Sequence, residues 1–298
     1  MGNPKYHFIS GLPRSGSTLL AAILRQNPRF AAGMSGPVAG LFEGVVSQVS
    51  VGTELSRMVN KEQRERILRG LFDSYYADND AQVIFDTNRA WTAKLPELMT
   101  LFPESKIICC ARDVAWIMDS LEKQYRESAF ENTGLFGNPG ERATVYTRTE
   151  ALAGSNRLVG YAYQALREAC WSAYADRLVI VEYDLLVARP KEVIGLLYEF
   201  IGEESFEHDF DNVEYEAPNF DEPMGLENLH KVRRKVEMKP RQTILPPDLF
   251  EKFSGMAFWQ NLTNCRAFRI VNAQPQPEQT DDVEQMKEAG LLEGASTD

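Results

Sequence analysis

A short loop near the amino terminus carries the residues best suited to bind an anion. The stretch GLPRSGST, Gly11 to Thr18, follows a strand-like run and opens a helical one. Such a turn points several backbone N–H groups into one concavity, and the helix dipole adds positive potential there. In Mg-nucleotide enzymes a lysine follows the second glycine, whereas Ser17 stands there in this chain and the cation Arg14 lies inside the loop. The loop predicts an anion site; the alternative is a turn that merely tolerates two glycines.

A second set of anion-binding residues follows the run KIICCARD. Arg112 ends this apolar run, and Ser120 comes eight residues later on the next helical stretch. Ligand sites in parallel sheets lie at the carboxyl ends of strands. The planar fork of arginine suits a phosphate dianion, and serine adds a neutral donor. The alternative is an ion pair between Arg112 and Asp113.

A basic segment late in the chain has a composition unlike the rest. Six of the twelve residues from His230 to Arg241 are Lys or Arg, although the whole chain has a formal charge of −11. This acidic balance argues against general nucleic-acid binding, which needs a basic footprint. The segment is therefore expected to serve something local. A solvated basic face and a nucleic-acid patch are the alternatives.

The elements that must position these residues alternate between strands and helices. Short apolar runs, interpreted as buried strands, are Tyr6–Ser10, Gln82–Phe85, Lys106–Ala111 and Leu178–Glu182. Helical periodicity marks Arg57–Tyr76, Trp91–Leu101, Val114–Arg126, Arg157–Ala175 and Pro190–Ile201. This order predicts an α/β domain whose parallel sheet has helices on both faces. A long loop over the site is predicted between Ser128 and Ser155.

Composition limits the organisation of the chain. One domain is predicted over residues 1–270, followed by an acidic, partly disordered tail over 271–298. Four cysteines without a Cys/His cluster argue against structural zinc and indicate buried, reduced thiols. With no apolar run long enough to span a membrane and no secretory signal, a cytoplasmic protein that does not bind membranes is expected. The oligomeric state stays open, a homo-oligomer included.

In their order along the chain, four segments resemble the sulfotransferases that use 3′-phosphoadenosine 5′-phosphosulfate (PAPS). They are FISGLPRSGSTLLAAIL, KIICCARDVAWIMDSLEKQYR, LVIVEYDLLVARP and HKVRRKVEMKPR, and the resemblance covers Tyr6 to Trp259. The loop is most similar to the tyrosylprotein-sulfotransferase-like branch, which also has P-R-S-G followed by hydroxyl residues. The resemblance implies a P-loop-like sulfotransferase fold. It also implies metal-free transfer to a hydroxyl acceptor, with 3′,5′-adenosine diphosphate (PAP) as the product.

The same resemblance implies which residues bind the donor. They are Arg14, Ser15, Gly16, Ser17, Thr18, Arg112, Ser120, Tyr183, Lys231, Arg234 and Arg241. In this assignment Arg14 contacts the leaving group, Arg112 and Ser120 hold the 3′-phosphate, and Tyr183 contacts the adenosine. The resemblance also implies that the basic segment from His230 to Arg241 folds over the donor as a lid. An aromatic side chain packed in the core is the alternative for Tyr183.

The catalytic base is where the sequence departs from its relatives. Tyrosylprotein sulfotransferases have a glutamate soon after the loop helix, where this chain reads GMSGPVAG. Asp86 is interpreted as the base and Arg89 as the cation that replaces a lysine of the relatives, with Glu43 as the second choice for the base. A structural Asp86–Arg89 pair that caps the next helix is equally open.

The altered base region leaves the acceptor uncertain, and we expect a small hydroxylated metabolite. Two other functions are kept as alternatives: a non-catalytic relative that binds PAP, and a P-loop kinase of a small metabolite. The kinase requires Mg²⁺ and usually the loop lysine, which this loop lacks.

Overall fold

A single parallel sheet organises the chain. The computed structural model describes residues 4–50, 52–127, 130, 132–216, 232, 235–238 and 240–272. Within these residues six strands pair in parallel in the order β2-β3-β1-β4-β5-β6. Their bounds are β1 Lys5–Gly11, β2 Phe30–Ala32, β3 Val83–Thr87, β4 Ile107–Ala111, β5 Leu178–Glu182 and β6 Phe268–Ile270. The predicted α/β fold with a parallel sheet is confirmed.

Helices cover both faces of this sheet. In chain order they are α1 Ser17–Leu24, α2 Val38–Val49, α3 Lys61–Tyr75, α4 Leu95–Leu101, α5 Val114–Glu127, α6 Pro139–Arg142, α7 Val145–Ala153, α8 Leu158–Cys170, α9 Tyr183–Ala188, α10 Pro190–Ile201 and α11 Pro247–Ser254. Buried side chains of α1, α9 and α10 form the core on one face. Those of α2, α3, α4, α5, α7, α8 and α11 form it on the other. Because both faces are covered, the central strands are buried along their whole length.

The middle of the sheet shows why these strands form. Every residue of β4, IICCA, is buried, as is every residue of β5, LVIVE. In β1, Phe8 packs on one face and Ile9 on the other, as the two-residue period of a strand requires. Cys109 and Cys110 are buried free thiols, and burial raises the pKa of Cys110 to about 12.

Several elements differ from the sequence prediction. The edge strands β2 and β6 and the helices α2, α9 and α11 were not predicted. Three residues of FAA or FRI are too few to show a period, which explains the two missed strands. The loop predicted between Ser128 and Ser155 contains α6 and α7. Helix α7 begins at a capping box in which Thr144 and Thr147 exchange hydrogen bonds. The predicted tail lies outside the described residues from residue 273 onward.

Candidate active site

A cavity of about 610 Å³ opens at the carboxyl ends of the central strands. Its size suits a small-molecule ligand, for which about 300–1,000 Å³ is usual. Eight of the residues singled out in the sequence line it: Arg14, Gly16, Ser17, Thr18, Arg89, Arg112, Tyr183 and Arg241. Lys231 and Arg234 lie outside the described residues. The fold thus brings together residues from five separate sequence segments.

The backbone of the loop depends on its two glycines. Gly11 has φ 109°, and a Cβ there would lie 2.2 Å from the carbonyl oxygen of Cys110. Gly16 has φ 92°, and its missing Cβ leaves room for the Tyr183 ring, whose Cδ2 would be 2.6 Å away. Helix α1 begins directly after Gly16, so its first N–H groups and the side chains of Ser17 and Thr18 border the cavity.

Arg14 occupies a strained position in the same loop. Its φ is 56°, in the left-handed region that non-glycine residues seldom adopt. The exposed side chain crosses toward α5, where Nε donates to Oγ of Ser120 at 3.1 Å. The guanidinium of Arg14 and the Ser120 hydroxyl are therefore neighbours, as two groups around one polyanion would be.

Ser15 faces the protein interior. Its hydroxyl lies 2.5 Å from the carbonyl oxygen of Leu12 and 2.9 Å from that of Cys110, and the residue is buried. Leu12 N–H also donates to Cys110 O at 2.9 Å. The side chain of Ser15 thus fastens the loop to β4 and does not line the cavity.

Arg112 supports the loop from the end of β4. Its Nη1 donates to the carbonyl oxygen of Arg14 at 3.1 Å, and its guanidinium carbon lies 4.6 Å from the centre of the Tyr183 ring. Tyr183, the first residue of α9, is held between this arginine and Gly16. The alternative of an ion pair with Asp113 finds no support, because Oδ1 of Asp113 accepts the N–H groups of Ala115 and Trp116 at 2.8 and 3.4 Å.

Arg241 also lines the cavity. Its Nη2 donates to Oδ1 of Asp184 at 2.8 Å, and its guanidinium carbon lies 4.6 Å from the centre of the Trp116 ring. Lys231, Arg234 and Arg241 are the residues of the basic segment that were assigned to donor binding, and of these only Arg241 is described. These two contacts fix the position of its side chain.

The cavity has a local charge opposite to that of the whole chain. Among the described residues that line it are five cations, Arg14, Arg89, Arg112, Lys235 and Arg241, and one acid, Glu237. Burial lowers the pKa of Arg112, and Tyr183 and Asp184 partly oppose this shift. Nε of Arg112 and Nη1 of Arg241 are buried with no hydrogen-bond partner among the described residues. Because orphaned buried donors are costly, these atoms fit an anionic ligand.

Asp86, interpreted from the sequence as the base, is sealed beneath the site. It is fully buried, with Oδ2 accepting from the Tyr76 hydroxyl and Oδ1 from Nε1 of Trp91, both at 2.7 Å. Burial raises the pKa of Asp86, and these two hydrogen bonds partly oppose the rise. The residue does not line the cavity, so it can reach a ligand only through another group.

The other groups of the base region are separated from Asp86. Arg89 lines the cavity, where the residue is exposed. The alternative of an Asp86–Arg89 cap is not what the structure has, because Asn88 caps the following 3₁₀ helix, Arg89–Lys94, by accepting the N–H of Ala90 at 3.1 Å. Glu43 lies outside the cavity lining, and its Oε2 is 2.6 Å from Nζ of Lys94.

Seven further polar residues of the cavity were not among the predicted site residues. They are Ser10, Ser35, Thr87, Asn88, Gln124, Lys235 and Glu237. Asn88 had a signal, since it follows β3 directly as Arg112 follows β4. Ser35 had none, because it follows a strand too short to recognise.

Comparison with known proteins agrees with this geometry. A family model described as "Sulfotransferase family" matches residues 7–208. The chain belongs to the sulfotransferase family. The match is to the family as a whole, so the narrower resemblance to tyrosylprotein sulfotransferases stays a prediction. No support is found for the kinase or for the non-catalytic relative.

Solved sulfotransferase structures are similar to this sulfotransferase along most of its length. The sulfotransferase domain from the olefin synthase of Synechococcus PCC 7002 is 16% identical, covers 99% of this chain and 98% of its own, and gives a TM-score of 0.48. A sulfotransferase from Mycobacterium avium is 12% identical over 85% of this chain and 76% of its own, with a TM-score of 0.47. No curated protein matches the sequence.

Two further observations concern the described residues of this sulfotransferase. None of its helices there combines the length and apolar character needed to cross a membrane. No group of three or more His, Cys, Asp or Glu side chains that could hold a metal ion occurs in the same part of the chain.

Proposed function

We propose that this sulfotransferase uses PAPS as its donor and transfers the sulfuryl group to the hydroxyl of a small acceptor. The observation that carries the proposal is the charge of the cavity, where five cations face one acid beside a loop of backbone N–H groups. The two orphaned arginine nitrogens add to this support. When bound, PAPS supplies a sulfuryl group whose S–O bond to the 5′-phosphate breaks as the bond to the acceptor oxygen forms.

The loop would hold the phosphosulfate end of the donor. The N–H groups at the start of α1 and the hydroxyls of Ser17 and Thr18 border the cavity, and they donate to anionic oxygens. Arg14 would stabilise the charge that develops on the leaving oxygen, which is where a preorganised cation contributes most to the rate. Gly16 allows the close approach of backbone that such binding needs.

The residues at the ends of β4 and β5 would hold the other end of the donor. Arg112 offers an unpartnered Nε, and Ser120 retains its hydroxyl proton because it accepts from Arg14. Together these groups suit the 3′-phosphate. Tyr183 presents an aromatic face to the adenosine, and Arg241 adds a second guanidinium. Lys231 and Arg234 complete the lid on the basis of the family resemblance alone.

Asp86 would receive the acceptor's proton through Tyr76. The Tyr76 hydroxyl donates to Asp86 at 2.7 Å, so Tyr76 can take a proton from the acceptor oxygen as it gives its own to the carboxylate. The raised pKa of Asp86 favours this role, because a base with a higher pKa accepts a proton more readily. Arg89 would orient the acceptor side of the sulfuryl group. Glu237 is the other acid within reach of the cavity.

A thermal-shift experiment without Mg²⁺ tests the donor. PAP should raise the melting temperature by several degrees, and 5′-ADP, which lacks the 3′-phosphate, should raise it much less. A ligand at one hundred times its Kd adds about 2.7 kcal/mol to the stability of the folded state. Arg112→Ala should remove most of the difference between the two nucleotides, since charge-assisted hydrogen bonds contribute about 1.5–3 kcal/mol.

The specific readout for Arg112 is the difference between the thermal shifts that PAP and 5′-ADP produce. Arg112 also donates to the Arg14 carbonyl, so its loss weakens the loop for both ligands alike. Arg66→Ala is the matched control, because Arg66 is an exposed arginine on α3, away from the cavity. Equal shifts by PAP and 5′-ADP, or stabilisation by Mg-ATP alone, would overturn the proposal.

A further inference from the structure

A second cavity adjoins the first and has no assigned role. It measures about 740 Å³ and lies between the segment from Ala31 to Pro37 and the end of α3. Ser35 lines both cavities, so the two spaces adjoin at this residue. Thr87, Asn88 and Arg89 line the first cavity, and they closely follow Phe85, which lines the second.

The lining of the second cavity has a distinct chemical character. Each of its described lining residues is uncharged, and three of them are tyrosines: Tyr75, Tyr76 and Tyr215. Phe85 and Met34 add apolar surface. A charged ligand would lose its hydration there without gaining a counter-ion from the wall, which is costly. An aromatic or extended apolar body would find ring faces to pack against.

The wall of this cavity is held in place by hydrogen bonds. Met34 N–H donates to the Tyr215 hydroxyl at 2.8 Å, and the Thr87 hydroxyl donates to the carbonyl oxygen of Gly33 at 2.8 Å. Gly36 N–H donates to the carbonyl oxygen of Thr87 at 3.2 Å. The segment that separates the cavities is thus fixed to the end of β3, and the space behind it does not depend on a ligand for its shape.

Two features tie the second cavity to the transfer reaction. Tyr76 both lines it and donates to Asp86. A Cβ on Gly36 would lie 3.8 Å from the Tyr75 hydroxyl and 3.9 Å from Oδ2 of Asp86. The carboxylate of Asp86 therefore lies close behind Gly36 in the wall of the second cavity.

We propose that the second cavity binds the acceptor, and that it selects an uncharged hydroxyl compound with an aromatic or extended apolar body. This inference rests on the proposed function of the first cavity. The acceptor's hydroxyl would point toward Ser35 and its body would lie among the three tyrosines.

Equilibrium dialysis with 2-naphthol tests the inference without turnover. The compound is an uncharged aromatic alcohol at pH 7, and 6-hydroxy-2-naphthoate and 6-(aminomethyl)-2-naphthol carry the same body with a negative or a positive charge. We expect each charged analogue to bind at least about tenfold more weakly, because its charge must lose water. Binding of all three with equal affinity would overturn the inference.

Two variants locate the binding. Tyr75→Ala removes one ring of the wall and should weaken 2-naphthol binding by about 2–10-fold, the range of one aromatic contact. Gly36→Val fills space beside the Tyr75 hydroxyl and should weaken binding further. Tyr174→Ala, a change at an exposed tyrosine outside both linings, is the matched control. A Kd within twofold of wild type in both cavity variants contradicts the assignment.

The PAP thermal shift separates the two proposals. Tyr75→Ala and Gly36→Val should keep the wild-type response to PAP, which also shows that they are folded. If wild type does not respond to PAP, the proposed function fails while 2-naphthol binding is still measured directly. If PAP binds and 2-naphthol does not, the second cavity is not the acceptor site.

Discussion

The position of Arg14 combines a strained backbone with an exposed charge. Its φ of 56° costs free energy that a glycine would avoid. Neighbouring loop residues are fixed by other contacts, since the Ser15 hydroxyl approaches Cys110 and Arg112 donates to the Arg14 carbonyl. The strain is held by these contacts, and it directs a guanidinium toward the phosphosulfate end of the proposed donor site.

Substitution of Arg14 separates the side chain from the backbone. Arg14→Ala and Arg14→Gly should both lower turnover by about 10²–10³, the scale of losing one preorganised donor. Arg14→Gly should also be more stable than Arg14→Ala by about 1 kcal/mol, because glycine accepts a positive φ. Transfer from labelled PAPS to a hydroxyl acceptor and urea unfolding give the two readouts. Turnover within about threefold of wild type contradicts the assignment; Arg66→Ala serves as the control.

At the scale of elements, the loop, β4 and α9 form one packed unit. Gly11 lies against the Cys110 carbonyl, and Gly16 lies against the Tyr183 ring. Helix α1 begins directly after Gly16, so a change of backbone conformation at this glycine would displace the N–H groups that border the cavity. The packing of the loop against the end of β4 and the starts of α1 and α9 therefore depends on Gly11 and Gly16, which have no side chain.

Gly16→Ala tests this dependence. It places a methyl group 2.6 Å from Tyr183 at a φ of 92°, and we expect a loss of about 1–3 kcal/mol in the free energy of unfolding together with loss of the PAP thermal shift. Gly44→Ala is the matched control. Gly44 lies within α2 with no atom within 4 Å of the added methyl, so the same change should stabilise the protein by up to about 1 kcal/mol. Equal effects of the two changes would show that the loop tolerates a side chain.

The sequence predicted those parts of the fold and site that follow from local pattern. The four central strands were found because they are continuous apolar runs, and Arg14 and Arg112 were found because each follows such a run. The edge strands were too short for a pattern. The partners of Asp86 were also beyond the sequence, because Tyr76 and Trp91 reach it only through packing of α3 and the segment after β3. The inward turn of Ser15 depends in the same way on β4.

At the scale of the whole molecule, a buried histidine links stability to pH. His7 lies in β1, fully buried, and Nδ1 accepts the N–H of Lys106 at 3.0 Å. Burial, with smaller contributions from the cations Lys5 and Lys106, lowers the pKa of His7 from 6.5 to about 3. Between these values the unfolded chain binds a proton that the folded chain does not, so stability falls as the pH is lowered through this window.

His7→Asn should flatten this dependence. Asparagine can keep an acceptor for the Lys106 N–H without binding a proton. Below about pH 6, wild type should lose up to about 1.4 kcal/mol per pH unit more than the variant does. Urea unfolding at several pH values between 7 and 4 measures the difference. His208, whose pKa is also lowered by burial, is present in both proteins, so its contribution cancels in the comparison. Parallel curves of stability against pH for the two proteins would exclude His7 as the source of the pH dependence.

The hydrogen bond between Arg14 and Ser120 joins the loop after β1 to helix α5, which follows β4. Because the serine oxygen accepts this bond with a lone pair, its own proton is directed away from the arginine. A ligand group that accepts the Ser120 proton therefore also changes the strength of the hydrogen bond from Arg14 to the Ser120 oxygen. In the proposed donor complex, the two ends of the nucleotide would therefore be coupled through this one oxygen atom, so a nucleotide that lacks the 3′-phosphate would also be held differently at the end that Arg14 contacts.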